Sequence, residues 1–542
     1  MKTLASQKQA TAQEHLAAGR YMEAYEAVSS IENVWPGLPG GAALHAEISR
    51  RYPLVRVGVQ SPALQFDSRS LTNVAARRAG RLTERLLVEL TGLGPEGGQY
   101  RSPFGTLRRS DDGLSLSFKI NGATAGLAAS DLAQQLLEKA QPSSPNYSAN
   151  WARIVSEVRR VSPQEIEVLF GVPHVLPESL LRAPFAPASD DNASASPYQP
   201  FTIFSREPSL LRFTVSPTYA FNRPGQPAEI IERFYDDPER ARSAFTRGEI
   251  DLLDQIFPGD IPAFQANPNL VVAPFDAPTT HVLVVRSPNP FLANSTFRRA
   301  LLYGANRSLL LQQGLLRGQT IPGCRVVSAP FPAPASSTAS TAYGYDPSIE
   351  PRAFDPRLAL TLRLLAEKDV QATRPKVADA PPLTPKLTLG HPADDVSRIA
   401  CRGLARQWKV IGVECSLAEF APGVFDDAEN KCDLVYLQLA AWEPVVDAGR
   451  LLGPGGPAFS SSPVLQQTLR QIESARNWRE ARQRLFQLHR LLHEDVTLLP
   501  LWQLTDHFAH TRTLQGIAQS PLRLYQDVEQ WRTTTEVAEA RR

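Results

Sequence analysis

The chain has 542 residues, with 57 Lys plus Arg against 55 Asp plus Glu and a formal net charge of +2; 42% of it is hydrophobic and 21% charged. Such fractions are ordinary for a globular protein and exclude disorder, collagen and coiled coil as descriptions of the whole, while the length accommodates roughly three or four domain-sized units. The balanced charge gives no electrostatic reason to expect nucleic acid or an acidic membrane as partner, and no apolar run approaches the ~18 residues of a spanning helix.

Met1–Ile31 lacks the apolar core and small-residue cleavage site of a signal peptide. Thr11–Ser30 (TAQEHLAAGRYMEAYEAVSS) reads as two short helices broken near Gly19, a tetratricopeptide-like hairpin followed by a Pro36–Gly41 linker. A lone hairpin cannot bury its own apolar face, so it either caps the main body or is the tail of a longer ancestral region. From Leu54 strands alternate with helices. Val55–Val59 alternates as a strand, and Leu71–Leu90 has helical spacing with Leu82, Leu86 and Leu90 on one face. Asp111-Asp112-Gly113 predicts a hairpin turn before the strand Leu114–Phe118. Ile230–Tyr235 reads as a strand; Asp237 then caps a helix beginning at Pro238, and Gly248 stops it before the strand Glu249–Leu253.

Asn306 caps Arg307–Arg317, with Gly318 as the stop. Val396, Ile399, Ala400, Gly403, Leu404 and Trp408 make one helical face ending at Gly412, and Asn477 with Glu480 resembles a capping box opening a helix through Leu492. Leu434–Trp442 and Val496–Leu504 read as buried strands. Many of the 46 prolines gather in three loop-like stretches, Ala183–Pro200, Ser328–Pro356 and Thr373–Pro385. The alternation predicts an α/β or mixed α+β fold.

Chemistry-bearing patterns are sparse. His489 and His493 lie four apart on a predicted helix, a spacing that suits one metal ion or merely a solvated face; no third ligand stands nearby, and no metal is expected. His507 and His510 are weaker candidates still. The cysteines at 324, 401, 415 and 432 form no C-x-x-C pair. There is no P-loop, dinucleotide fingerprint or G-x-S-x-G elbow, so the chain is expected not to be an enzyme and to need no cofactor.

Four separated stretches resemble one family in order and spacing. Thr246–Asp254 (TRGEIDLLD) resembles "sGEIDvld", and Pro290–Leu311 (PFLANSTFRRALLYGANRSLLL) resembles "pPFdDvrvRqAlayAiDRealv". Tyr343–Pro347 followed by Phe354–Pro356 resembles the "YDPekAkaLLaeaG" region, and Ile399–Leu417 (IACRGLARQWKVIGVECSL) resembles "ia..iq..lkkiGIkVel". These are motifs of solute-binding protein family 5, the dipeptide, oligopeptide and nickel binding components of ABC transporters. The family's "fHDGtpltAeDV" segment is degraded here to Ala123–Leu132, and its "GTGPY" turn is replaced by Ser196–Pro200.

The resemblance implies a periplasmic-binding-protein-like fold of two lobes that close by hinge bending over a ligand. It divides the chain into a helical hairpin and linker (1–52), lobe I with an inserted subdomain (53–287), lobe II (288–498) and a return to lobe I with a C-terminal tail (499–542). In peptide-binding members an aspartate shortly after a tryptophan holds the peptide's amino group; the matching stretch here is Ala441–Asp447 (AWEPVVD). Trp442, Glu443 and Asp447 are therefore the candidate ligand residues, joined by Tyr198 and His281 on segments that the resemblance turns toward the cleft. A tryptophan wall with a placed carboxylate would select a cationic group such as an amine. Cys415 and Cys432 head neighbouring strand-like segments of lobe II, and are either a disulfide of an oxidising compartment or two buried thiols.

The implied function is to capture a small polar solute, a peptide or peptide-like molecule foremost, and to deliver it as a monomer to ABC transporter permease subunits. The implied location is the periplasm or another extracytoplasmic space. The alternative is a degenerate binding module that acts as a sensor or scaffold outside transport.

Overall fold

The computed structural model describes residues 2–35, 38–122, 127–144, 147–184, 198–334, 342–373, 383–426 and 431–534. Residues 36–37 of the expected linker, 123–126 of the degraded motif, 196–197 of the replaced turn, 185–197, 335–341 and 374–382 of the three proline-rich stretches and the tail beyond 534 lie outside them.

A seven-stranded sheet organises the first lobe, in the order Leu270–Pro274, His507–Thr511, Leu252–Leu253, Leu54–Val59, Glu229–Phe234, Leu210–Val215 and Phe201–Glu207. Leu54–Val59 runs parallel to both its neighbours, and the outer pairs are antiparallel. A six-stranded sheet organises the second lobe, ordered Arg325–Val326, Leu498–Leu504, Thr279–Val285, Leu434–Leu439, Lys386–His391 and Glu414–Glu419. Leu434–Leu439 (LVYLQL) and Leu498–Leu504 (LLPLWQL) are buried at every position. A run buried at every position and apolar but for one glutamine, Gln438 in the first and Gln503 in the second, marks a strand covered on both faces. The architecture is the mixed α+β, two-lobe fold that the sequence implies.

Two short crossings join the sheets, one from Pro274 to Thr279 and one from Leu504 to His507. The sequence expectation puts the first near Ser287 and the second within Leu499–Phe508. Thr279–Val285 instead pairs with both Leu434–Leu439 and Leu498–Leu504, which places two whole strands inside the second sheet. The crossings lie side by side: Phe275 N–H donates to the Asp506 carbonyl (2.9 Å), and Thr279 Oγ1–H donates to Asp506 Oδ2 (2.5 Å).

A four-stranded antiparallel subdomain is inserted in the first lobe, ordered Gly105–Arg109, Ser115–Ile120, Glu165–Phe170 and Val155–Ser162. Its first hairpin turns where expected, with Asp112 Oδ1 accepting from Leu114 N–H (3.0 Å) and Gly113 at φ +68°. Asp237 caps Pro238–Thr246, and Asp394 caps Asp395–Val410, whose buried Val396, Ala400, Leu404 and Trp408 form the expected face. Asn477 Oδ1 accepts from Glu480 N–H, opening Trp478–Asp495.

Three elements differ from expectation. The helix at Leu71–Leu90 is confined to Val74–Thr83, because Leu87 N–H turns to the Ala183 carbonyl (2.9 Å) and Glu89–Gly94 pairs as a strand with Gly97–Arg101. The helix after Asn306 becomes a π-turn at Leu310–Leu315. The N-terminal unit has three helices, Lys2–Ala17, Tyr21–Val34 and Gly41–Arg51; Leu44 and Ile48 of the third help close a small core over Ala12, Ala24 and Val28. This unit is tied to the first sheet through Tyr52 Oη–H donating to Glu229 Oε2 (2.7 Å), while Arg212 pairs with Glu229 (2.6 Å) and reaches Glu26 (3.7 Å).

Candidate functional site

Trp442 and Glu443 sit where the central strand of the second lobe ends and the helix Pro444–Leu452 begins. Pro444 at the first helical position lacks an N–H, so the orphan donor is that of Glu443, and Asp447 one turn later accepts it at 2.9 Å. Asp447 also pairs with Arg450 (3.0 Å), which in turn donates to the Arg69 carbonyl of the first lobe (2.6 Å).

Glu443 is fully buried and faces across the seam. Gly98 N–H donates to its Oε2, the Tyr343 hydroxyl donates to its Oε1, and the Tyr100 hydroxyl lies 3.5 Å from Oε2. Glycine at position 98 allows this close approach, since a Cβ there would lie 2.7 Å from Glu443 Oε2 and would push both that carboxyl and the Leu90 side chain aside. Burial, reinforced by neighbouring Asp447, pushes the Glu443 carboxyl up to about 8 against the lowering influence of Gly98, Arg182 and Tyr100. At neutral pH it is mostly protonated. Trp442 donates Nε1–H to the Pro278 carbonyl in the crossing (3.0 Å) and packs with Leu90, Ala277, Ala440 and Leu522, so its ring joins both lobes to the hinge. The guanidinium of Arg77, from the first-lobe helix, lies 5.2 Å from the Trp442 ring centroid.

Trp442, Glu443 and Asp447 thus come together at the lobe–lobe seam, while the other two candidates lie elsewhere. Tyr198 is buried in the inserted subdomain, edge-on to Phe104 at 5.1 Å. His281 is buried within the second sheet between Tyr436 and Trp502, with its Nδ1 2.7 Å from the Tyr436 hydroxyl; burial pushes its pKa down to about 3.

His489 and His493 are not arranged as a metal pair. His489 is buried, its Nδ1 accepts the Asp346 N–H (3.0 Å), and its Nε2 meets Ser328 Oγ (3.0 Å), so both ring nitrogens are engaged. Among the described residues no group of three His, Cys, Asp or Glu side chains is placed to hold a metal ion. No disulfide joins any of the four cysteines.

Sequence reasoning missed the arginines. Helix Val74–Thr83 (VAARRAGRLT) buries Arg77, Arg78 and Arg81 together. Arg78 binds Glu232 (2.8 Å) and Asp254 (2.6 Å), and Arg81 binds Glu529 (3.0 Å). Three guanidiniums among alanines within a few residues are the available signal, because arginine is seldom buried without acids to meet it.

The sequence profile described as bacterial extracellular solute-binding proteins, family 5 middle, matches residues 110–451. The chain belongs to family 5 of the bacterial extracellular solute-binding proteins. No curated protein matches this family 5 chain. Among solved structures it is similar to the oligopeptide-binding protein AppA of Bacillus subtilis in complex with a nonapeptide, at 15% identity and TM-score 0.71, covering 89% of this chain and 98% of that one. NikZ of Campylobacter jejuni in complex with Ni(L-His) aligns at 15% identity and TM-score 0.70, covering 89% and 99%. A dipeptide binding protein of Pseudoalteromonas sp. SM9913 in complex with Met-Leu aligns at 14% identity and TM-score 0.70, covering 89% and 100%. Identities this low speak for the fold alone. Among the described residues no helix of this family 5 protein is long and apolar enough to cross a membrane.

Proposed function

We propose that the chain captures one small polar solute, a peptide or peptide-like molecule foremost, between its lobes and delivers it as a monomer to the permease subunits of an ABC transporter from the periplasmic or another extracytoplasmic side. The observation that carries this reading is the Trp442–Glu443 seam. One aromatic and one carboxyl group of the second lobe meet Gly98, Tyr100, Arg77 and Leu522 of the first directly beside the two crossings. A ligand held there touches both lobes, so its binding energy is coupled to the hinge angle. The work is binding and closure, with no bond made or broken. Structural neighbours bound to a nonapeptide, Met-Leu and Ni(L-His) support the breadth of solutes that this scaffold accommodates. The family membership does not favour the sensor or scaffold alternative.

The test is a thermal-shift panel of di- to nonapeptides, sugars and nickel chelates on the full chain, repeated with Trp442→Ala. At least one class should raise the melting temperature in proportion to the logarithm of its concentration, and Trp442→Ala should remove that response. A response unchanged in Trp442→Ala would place the solute elsewhere.

A further inference from the structure

The same seam holds more guanidinium than ionised carboxylate. Arg450 is matched by Asp447, and Arg77 donates to the Ser70 carbonyl (2.7 Å) while lying over Trp442. Arg523 has no such match. It follows Leu522, a member of the apolar cluster around Trp442, and is only 7% exposed. Its Nε and Nη2 N–H groups are buried without a hydrogen-bond partner among the described residues. Glu89 is within its electrostatic reach but is already paired with Arg85 at 2.8 Å. Burial above all, with repulsion from Arg182 and Arg77 added to it, draws its pKa down to about 9, which leaves it cationic at neutral pH. Arg182 is half-buried beside Tyr100 and Glu443, and its own Nε is likewise buried without a hydrogen-bond partner among the described residues.

A buried guanidinium with unsatisfied donors calls for an anion, and the planar fork of arginine fits a carboxylate with two parallel hydrogen bonds. The two carboxyl groups that would otherwise select an amine are committed: Asp447 to Arg450 and the Glu443 N–H, Glu443 to Gly98 and Tyr343. We propose that the solute is anchored by a carboxylate held between Arg523 and Arg182 beside Trp442, so that the chain selects acidic solutes rather than amines. This rests on the solute-binding reading above and names its ligand chemistry.

The test is calorimetric titration of the full chain at pH 7 and matched ionic strength with two acid–amide pairs, trialanine with trialanine amide and succinate with succinamide. Native mass spectrometry of the same preparation identifies any solute that co-purifies. An acid should bind at least tenfold more tightly than its amide, and Arg523→Gln and Arg182→Gln should each abolish that preference. The half-buried Arg182 keeps the test open if Arg523→Gln fails to fold. A co-purified acid that the variants no longer carry supports the proposal equally. Equal binding of acid and amide overturns it, as does an acid preference that survives in folded variants. A co-purified solute without a carboxylate overturns it while leaving solute binding intact, as does an empty chain that binds none of the four probes yet responds to a sugar or nickel chelate in the thermal-shift panel; failure of that whole panel as well removes both readings.

Discussion

Glu443→Gln isolates the ionisation of one side chain at the seam. The carboxyl is pushed from its ordinary 4.5 to about 8, chiefly by burial. At about 1.36 kcal/mol per decade of proton affinity, ionising it in the closed form costs up to about 5 kcal/mol, an upper bound because the lobes can part and let water in. The groups facing it are Asp447, which raises its proton affinity, and Arg182 and Tyr100, which lower it, with Tyr343 on Oε1. Between pH 4.5 and 8 the closed form keeps a proton that the open or unfolded chain has released. Its contribution to closure is therefore complete below about 4.5, and is lost as the pH rises through 8. The wild type should accordingly expand between pH 6 and pH 9 in small-angle scattering and lose melting temperature over the same range. The carboxamide keeps the shape without the titration, so the variant should show a distinctly flatter profile. Equal pH slopes in wild type and variant would refute the argument.

Gly98→Ala drives a methyl group against Glu443 and Leu90; it should cost about 1–3 kcal/mol of closure and enlarge the radius of gyration at pH 6, with the far-UV circular dichroism unchanged. Arg78→Met leaves Glu232 and Asp254 buried without their cation; it should destabilise the first lobe by about 3–5 kcal/mol in urea melts while leaving the second-lobe transition in place.

Much of the second lobe was legible because its elements obey simple periodicities. Val396, Ala400, Leu404 and Trp408 repeat every fourth residue and are all buried, and Leu434–Leu439 is buried at every position and ends three residues before the tryptophan of the seam. Local capping was legible for the same reason, since Asp237, Asn306 and Asn477 act through neighbours two or three residues away. Pairing between distant strands was not legible. Thr279–Val285 looks the same whichever sheet it joins, so the crossing was displaced toward Ser287. The third N-terminal helix was hidden behind Pro36–Gly41, which reads as a linker even though Leu44 and Ile48 have helical spacing. At the seam, Trp442, Glu443 and Asp447 were found through the resemblance of Ala441–Asp447 to the family's tryptophan–aspartate stretch. Their use was not: whether a carboxyl is free depends on Gly98, Tyr343 and Arg450, and the first two lie on segments far from it in sequence. Arg523 stands amid leucines near the end of the chain, where only the folded seam gives it meaning.

The central claim is that a solute closes the two lobes at Trp442 and Glu443, and native mass spectrometry of the full chain taken gently from cell extract tests it most directly. The account predicts one small molecule per chain, released on denaturation, absent from Trp442→Ala and rebinding to the emptied wild type. A chain that is empty as purified and gains no mass from any peptide, sugar or nickel chelate offered to it would contradict the account.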